Sequence, residues 1–154
     1  MILYHGSNVP VEAIDLALSK PNKDFGRAFY LSTGKEQAEV MASFKAELLG
    51  GDKVVTSFEI DSFEGLKVKT FNEYSEEWAN FVYNHRTEPQ GRTLHDYDVV
   101  YGPIANDRIG AQITRFQQGY ITFEEFLNRI KYIKGITFQY AFCTQKAVDR
   151  LKKI

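Results

Sequence analysis

Apolar residues fall in short clusters along the chain, and their spacing alternates between a period of two and a period near 3.6. Ile2, Leu3 and Tyr4 predict a strand over 2–6. Pro10, Pro21 and Gly26 punctuate residues 8–27, where Val11 to Leu18 has room for one short helix. A second strand follows over 28–32. Ala38, Met41, Phe44 and Leu48 then recur at helical spacing, with Thr33 as N-cap and Gly50-Gly51 as terminator. Val54, Thr56, Phe58 and Ile60 share one face of a strand over 53–60. Leu66 and Val68 alternate with Lys67 and Lys69 over 66–70, as in a half-buried edge strand. Ser75 caps a helix with Glu76 and Glu77 in its first turn and Trp78, Phe81 and Val82 inward. Residues 87–95 form a loop, and 97–101 a buried strand that Gly102-Pro103 breaks. A helix over 106–118 stops at Gly119. Thr122 and Glu125 form a capping box for a helix that buries Phe126, Leu127, Ile130 and Ile133. Residues 136–143 make the last strand, and Thr144 opens a closing helix.

Helices interrupt these strands irregularly, without the even rhythm of a doubly wound sheet, so the pattern predicts an α+β fold. No repeat, linker or low-complexity tract divides the chain, and residues 1–154 read as one domain.

Composition narrows the function. Hydrophobic residues make up 44% of the chain and aromatic ones 14%, which excludes disorder. A net charge of −1 argues against a sequence-independent DNA binder. Arg129, Lys131, Lys134, Lys146, Arg150, Lys152 and Lys153 gather late in the chain and read first as solvated helix faces and only then as a phosphate-binding patch. Cys143 is the only cysteine, so no internal disulfide forms. No apolar run approaches the ~20 residues of a membrane span, and the first residues read as a strand, not a leader; a cytoplasmic location is expected. His5, His85 and His95 show no metal-ligand spacing with the acids or with Cys143.

The candidate chemistry lies at Leu3-Tyr4-His5-Gly6-Ser7 and at Asp24-Phe25-Gly26-Arg27-Ala28-Phe29-Tyr30. A histidine hydrogen-bonds a ribose hydroxyl, a glycine leaves its backbone open to a flat polar group, and a tyrosine offers a stacking face. Each has a plainer reading. His5 also suits an edge strand, and Tyr30 an amphipathic strand. Asn8 and Asp24 touch ribose, pyrophosphate or adenine, or cap turns. On the last strand, Ile136, Phe138, Tyr140 and Phe142 share one face, and Thr137, Gln139, Ala141 and Cys143 the other. The small neighbours of Gln139 leave room for a ligand. Asp107 reads either as a helix N-cap or as a carboxylate for the site. Arg86 reads as a pyrophosphate partner or a structural ion pair.

The segment from Leu3 to Ile14 resembles the start of the catalytic domain of ADP-ribosyltransferases of the diphtheria toxin and poly(ADP-ribose) polymerase type. The segment from Asp24 to Ala42 resembles their second signature, a glycine ahead of a tyrosine-bearing strand and then a helix. Nearly the whole chain also resembles a bacterial family of domains of unknown function with that fold. Trp78 to Val82, Asn84 to Arg86, Tyr97 to Asp107, Gly119 to Ile121 and Gln139 to Phe142 carry this likeness.

The resemblance implies a split antiparallel sheet with flanking helices and a cleft for NAD as co-substrate. It implies that His5, Gly6, Ser7, Asn8, Asp24 and Tyr30 bind the dinucleotide, with His5 on a ribose, Gly6 on the carboxamide and Tyr30 stacked on nicotinamide. It assigns catalysis to His5, Tyr30 and Gln139, which should meet around one concave site. The implied activity is mono-ADP-ribosyl transfer to a macromolecular acceptor, with a small antitoxin-like protein as a further expected partner. In the resembled enzymes the last strand carries a glutamate that stabilises an oxocarbenium-like transition state. Gln139 binds a hydroxyl but supplies no charge. Restoring the charge in Gln139→Glu is therefore expected to keep or raise turnover. The same fold also accommodates NAD hydrolysis, an RNA 2′-phosphotransferase, or NAD or ADP-ribose binding without turnover. The phosphotransferase should need basic residues near His5, and none stand out in the sequence.

Overall fold

A computed structural model describes residues 1–132 and 135–154, so the expected inward position of Ile133 and the charge of Lys134 fall outside the described residues. The strands are β1 (Ile2–Ser7), β2 (Phe29–Ser32), β3 (Val54–Glu59), β4 (Val68–Thr70), β5 (Val99–Pro103), β6 (Phe138–Phe142) and β7 (Lys152–Lys153). The helices are α1 (Lys35–Leu49), α2 (Glu76–Thr87), α3 (Ile109–Gln117), α4 (Phe123–Arg129) and α5 (Gln145–Val148). One mixed sheet runs in the order β4-β5-β6-β2-β1-β3-β7, which makes the fold α+β. β4 and β5 pair in parallel and the other neighbours antiparallel, so the sheet is not wholly antiparallel. β1 and β3 pair along their whole length, whereas β1 and β2 share a single pair, Tyr4 with Ser32. Among the described residues no helix is long and apolar enough to cross a membrane.

Local signals set most boundaries. The Ser75 hydroxyl accepts from Trp78 N at the start of α2, the Thr122–Glu125 capping box closes at α4, and the Thr144 hydroxyl accepts from Ala147 N at α5. Other expectations fail for physical reasons. The segment from Val11 to Leu18 forms only a 3-10 turn at Leu16–Leu18, capped by Asp15. Gly34, not Thr33, is the N-cap of α1, and it makes no side-chain cap bond. Asn106, not Asp107, caps the turn into α3, its Oδ1 accepting from Arg108 N at 2.9 Å. Gly102-Pro103 continue β5 because parallel β4 ends opposite Tyr101 and asks nothing of the Pro103 nitrogen. β4 is an edge strand, shorter than the expected 66–70 and with Val68 exposed; Lys69 pairs with Glu77, and Lys67, just before the strand, with Asp96.

The sheet has a core on each face. Phe25, Trp78, Val82, Val100, Phe126, Ile130 and Ala141 bury one face, and Leu3, Phe29, Leu31, Phe58, Val99, Phe142 and Val148 the other. Strand alternation and register put Tyr4, Gly6, Tyr30, Ser32, Gln139 and Gly102 on the first face, and Leu3, His5, Tyr140 and Tyr101 on the second. α1 departs from its expected orientation. Ala38 and Ala42 face β1, while Phe44 is 58% and Leu48 69% exposed, and Met41 also faces solvent. The cause is Gly6: a Cβ built there falls 1.9 Å from the Ala38 carbonyl oxygen. The helix lies so close to the strand that only small residues fit between them, which turns the large ones outward.

Candidate functional site

Tyr30 and Gln139 meet at Asp24. Gln139 Nε2 donates to Asp24 Oδ2 at 3.2 Å. Arg86 grips the other carboxylate oxygen, Nε at 2.8 Å and a terminal nitrogen at 2.6 Å. The Tyr30 hydroxyl ties the same turn from below, donating to the Gly26 carbonyl at 2.7 Å and accepting from Phe25 N at 2.9 Å. Asn22 anchors the turn to the end of α2, its amide donating to the carbonyls of His85 and Glu88. Asp24 is 7% exposed and Gln139 9%, so this carboxylate and amide are held in the domain, with Arg86 as the charge partner. The space beside Gln139 is filled: Phe25 packs so closely on Gly102, the β5 partner of Gln139, that a Cβ there would lie 3.0 Å from the Phe25 ring. Arg86 is thus an ion-pair partner within the chain, and Asp24 does more than cap a turn.

His5 lies apart. Its side chain leaves β1 on the opposite face, and its ring stacks on Phe29 with centroids 4.4 Å apart. The expected meeting of His5, Tyr30 and Gln139 around one concave site is not what the structure contains; two cavities, of about 420 and 320 Å³, are lined by none of the three. His5 instead marks the seam. After Tyr4 and Ser32 an unbroken ladder would pair Gly6 with Tyr30, but the Tyr30 carbonyl accepts from His5 Nδ1 at 2.7 Å. That bond fixes the tautomer, leaving Nε2 as a lone-pair acceptor. The other histidines use both nitrogens. His85 donates to the Phe81 carbonyl and accepts from Leu94 N; His95 donates to the Phe25 carbonyl and accepts from Tyr97 N. His5 alone keeps a ring nitrogen without a partner among the described residues.

The remaining candidates serve the scaffold. Gly6 accommodates α1, and that face of the glycine is closed to a ligand. The Ser7 hydroxyl donates to Asn8 Oδ1, and the Asn8 amide donates to the Gly50 carbonyl at the end of α1. Asp107 is exposed in the turn before α3. Among the described residues no three His, Cys, Asp or Glu side chains are placed to hold a metal ion. Cys143 is free, and burial pushes its thiol up to about 12.

Cations missed in the sequence gather near this turn. Burial lowers Lys45 below its ordinary value, and the charges of Lys23 and Lys20 lower it further. Burial likewise lowers Lys23, followed by Arg86 and Lys20, with Asp24 opposing. These groups come from α1, α2 and the turn before β2, so no sequence cluster announces them. Lys45 alone left a trace, as a charge in line with inward Ala38 and Ala42.

Burial lowers all three histidines, His5 from 6.5 to about 4, with the bond to Tyr30 opposing and Lys45 adding. The native state therefore binds fewer protons than the unfolded chain as pH falls below 6.5, and stability drops with pH in that window. For His5 alone the full shift corresponds to about 3 kcal/mol, complete only near pH 4. Urea unfolding at pH 7 and pH 5 should show a lower midpoint at pH 5, and His5→Asn should shrink the difference. Equal midpoints in the native protein would contradict a neutral, half-buried His5.

A family model described as "Protein of unknown function (DUF3990)" matches residues 1–153. No curated protein and no solved structure matches the chain.

Proposed function

Because the chain belongs to the DUF3990 family, whose function is unknown, we propose its activity from the chemistry of the site: cleavage of NAD at the nicotinamide–ribose bond and transfer of ADP-ribose to a macromolecular acceptor. The observation that carries this reading is the Asp24 carboxylate held beside Gln139. Breaking the glycosidic bond builds positive charge on the ribose, and a fixed anion beside it lowers the barrier. Gln139 has no charge, yet its amide holds Asp24 at 3.2 Å, so a carboxylate lies beside position 139 in space, shared with Arg86 on its other oxygen. The Gln139 carbonyl oxygen is an acceptor for a ribose hydroxyl, and Lys23 and Lys45 are cations for the pyrophosphate; His5, on the other face of the sheet, takes no part. The single pair joining β1 to β2 supports a sheet split at that seam.

Incubation with NAD should release nicotinamide, and labelled NAD in cell lysate should leave label on protein or nucleic acid. Gln139→Glu, favoured on sequence grounds, is now expected to fail. It sets a second carboxylate against Asp24, where like charges cannot both ionise without cost. Turnover in Gln139→Glu at or above the native rate would overturn the role given to Asp24.

One observation favours a second reading, binding of NAD or ADP-ribose without turnover. The Tyr30 hydroxyl and the Gln139 amide are already engaged within the chain. A rise in melting temperature with NAD, but no nicotinamide released, would select it.

A further inference from the structure

The face of the sheet that carries His5 holds, toward its β4 edge, an aromatic cavity with no part in the proposed reaction. Its volume is about 420 Å³, and Phe63, Val68, Thr70, Tyr101 and Tyr140 line it. Register sets Thr70, Tyr101 and Tyr140 side by side on β4, β5 and β6. Their rings form a continuous wall. Tyr101 and Tyr140 have centroids 4.6 Å apart, Phe63 stacks on Tyr140 at 5.3 Å and 14°, and Tyr101 lies on Phe138 at 5.0 Å and 6°. None of the lining residues carries a charge. Burial raises both phenols, with no hydrogen bond opposing it at either.

We propose that this cavity binds an uncharged planar heterocycle with a hydrogen-bonding edge, a nucleobase. Aromatic walls stack bases of any sequence through their π faces. The hydroxyls of Tyr101, Tyr140 and Thr70 donate and accept at the edge of such a ring. A purely aliphatic ligand would bury those hydroxyls unpaired, at a cost in affinity. With no cation in the lining, a phosphate has no partner inside, and with no carboxylate an ammonium is not neutralised there. The volume lies within the range of small-molecule sites. The cavity lies on the opposite face from the Asp24 carboxylate, so the inference stands whether or not NAD is cleaved. The base reaches it as a free nucleoside, as part of a single strand, or as the adenine of a dinucleotide.

Aromatic proton–carbon correlation spectra during titration with adenosine, uridine, a single-stranded hexanucleotide and NAD test the site. Adenosine or uridine should shift the rings of Tyr101, Tyr140 and Phe63. Tyr140→Leu should weaken binding on the order of tenfold, the scale of one lost base–aromatic stack. Tyr101→Phe, which keeps the ring and loses only the hydroxyl, should weaken it by about threefold, and it carries the test if Tyr140→Leu does not fold. Tighter binding of the hexanucleotide assigns a strand, tighter binding of NAD a dinucleotide, and equal affinities the free nucleoside. The proposal is overturned if no ring shifts at millimolar nucleoside, if both variants bind as the native protein does, or if cyclohexanol binds as tightly as adenosine.

Discussion

Replacing Gly6 with alanine lowers the melting temperature by about 10 °C. The added methyl would sit 1.9 Å from the Ala38 carbonyl oxygen and 2.9 Å from the Ala42 nitrogen. Both are backbone atoms, so no rotamer change relieves the clash and α1 must lift from β1. Overpacking of this kind costs about 3 kcal/mol at the upper end of its usual range. For a domain of this length each kcal/mol is worth about 3 °C. Gly110 is the control: nothing lies within 4 Å of a Cβ built there, and Gly110→Ala in the first turn of α3 should leave stability unchanged or raise it by up to about 1 kcal/mol. A melting temperature for Gly6→Ala within about 2 °C of the native value would mean that the helix yields freely, and the account of its orientation would fall.

Asp24→Asn should damage both stability and turnover. It removes the anion that Arg86 grips through two nitrogens, while the Arg86 side chain remains 30% exposed. Partial solvation limits the penalty for the orphaned guanidinium to about 2 kcal/mol, below the 3–5 kcal/mol of a fully buried pair. On the proposed chemistry, NAD cleavage falls on the order of a hundredfold, the scale of losing one group that stabilises charge in the transition state. Arg86→Gln separates the two effects, since it breaks the same ion pair and keeps the carboxylate. Equal losses of turnover in the two variants, measured below their melting transitions, would reduce Asp24 to a structural residue.

What was legible in the sequence was local. Ser75, Thr122 with Glu125, and Thr144 announce their helices because a cap and its target lie three residues apart. The alternation of Thr56, Phe58 and Ile60 shows through because one side of β3 packs on the core. The orientation of α1 is hidden because two of its faces are apolar, and the choice between them is made by Gly6, which lies in a different element. The partnership of Gln139 with Asp24 spans 115 positions. Nothing near either residue encodes it; it follows from β2 lying beside β6. His5 shows the same limit. Its parity with Leu3 is written in β1, but which face Tyr30 takes depends on a pairing between strands that the sequence does not display.

The outward side of α1 governs how the protein behaves when concentrated. Val40, Phe44 and Leu48 form an apolar stripe in water, on a molecule with a net charge of −1 and a pI near 6.3. Near that pH almost no mutual repulsion opposes contact through such a stripe. Sulfate or phosphate then hastens precipitation by strengthening apolar contact, whereas moving the buffer toward pH 8 restores charge and colloidal stability.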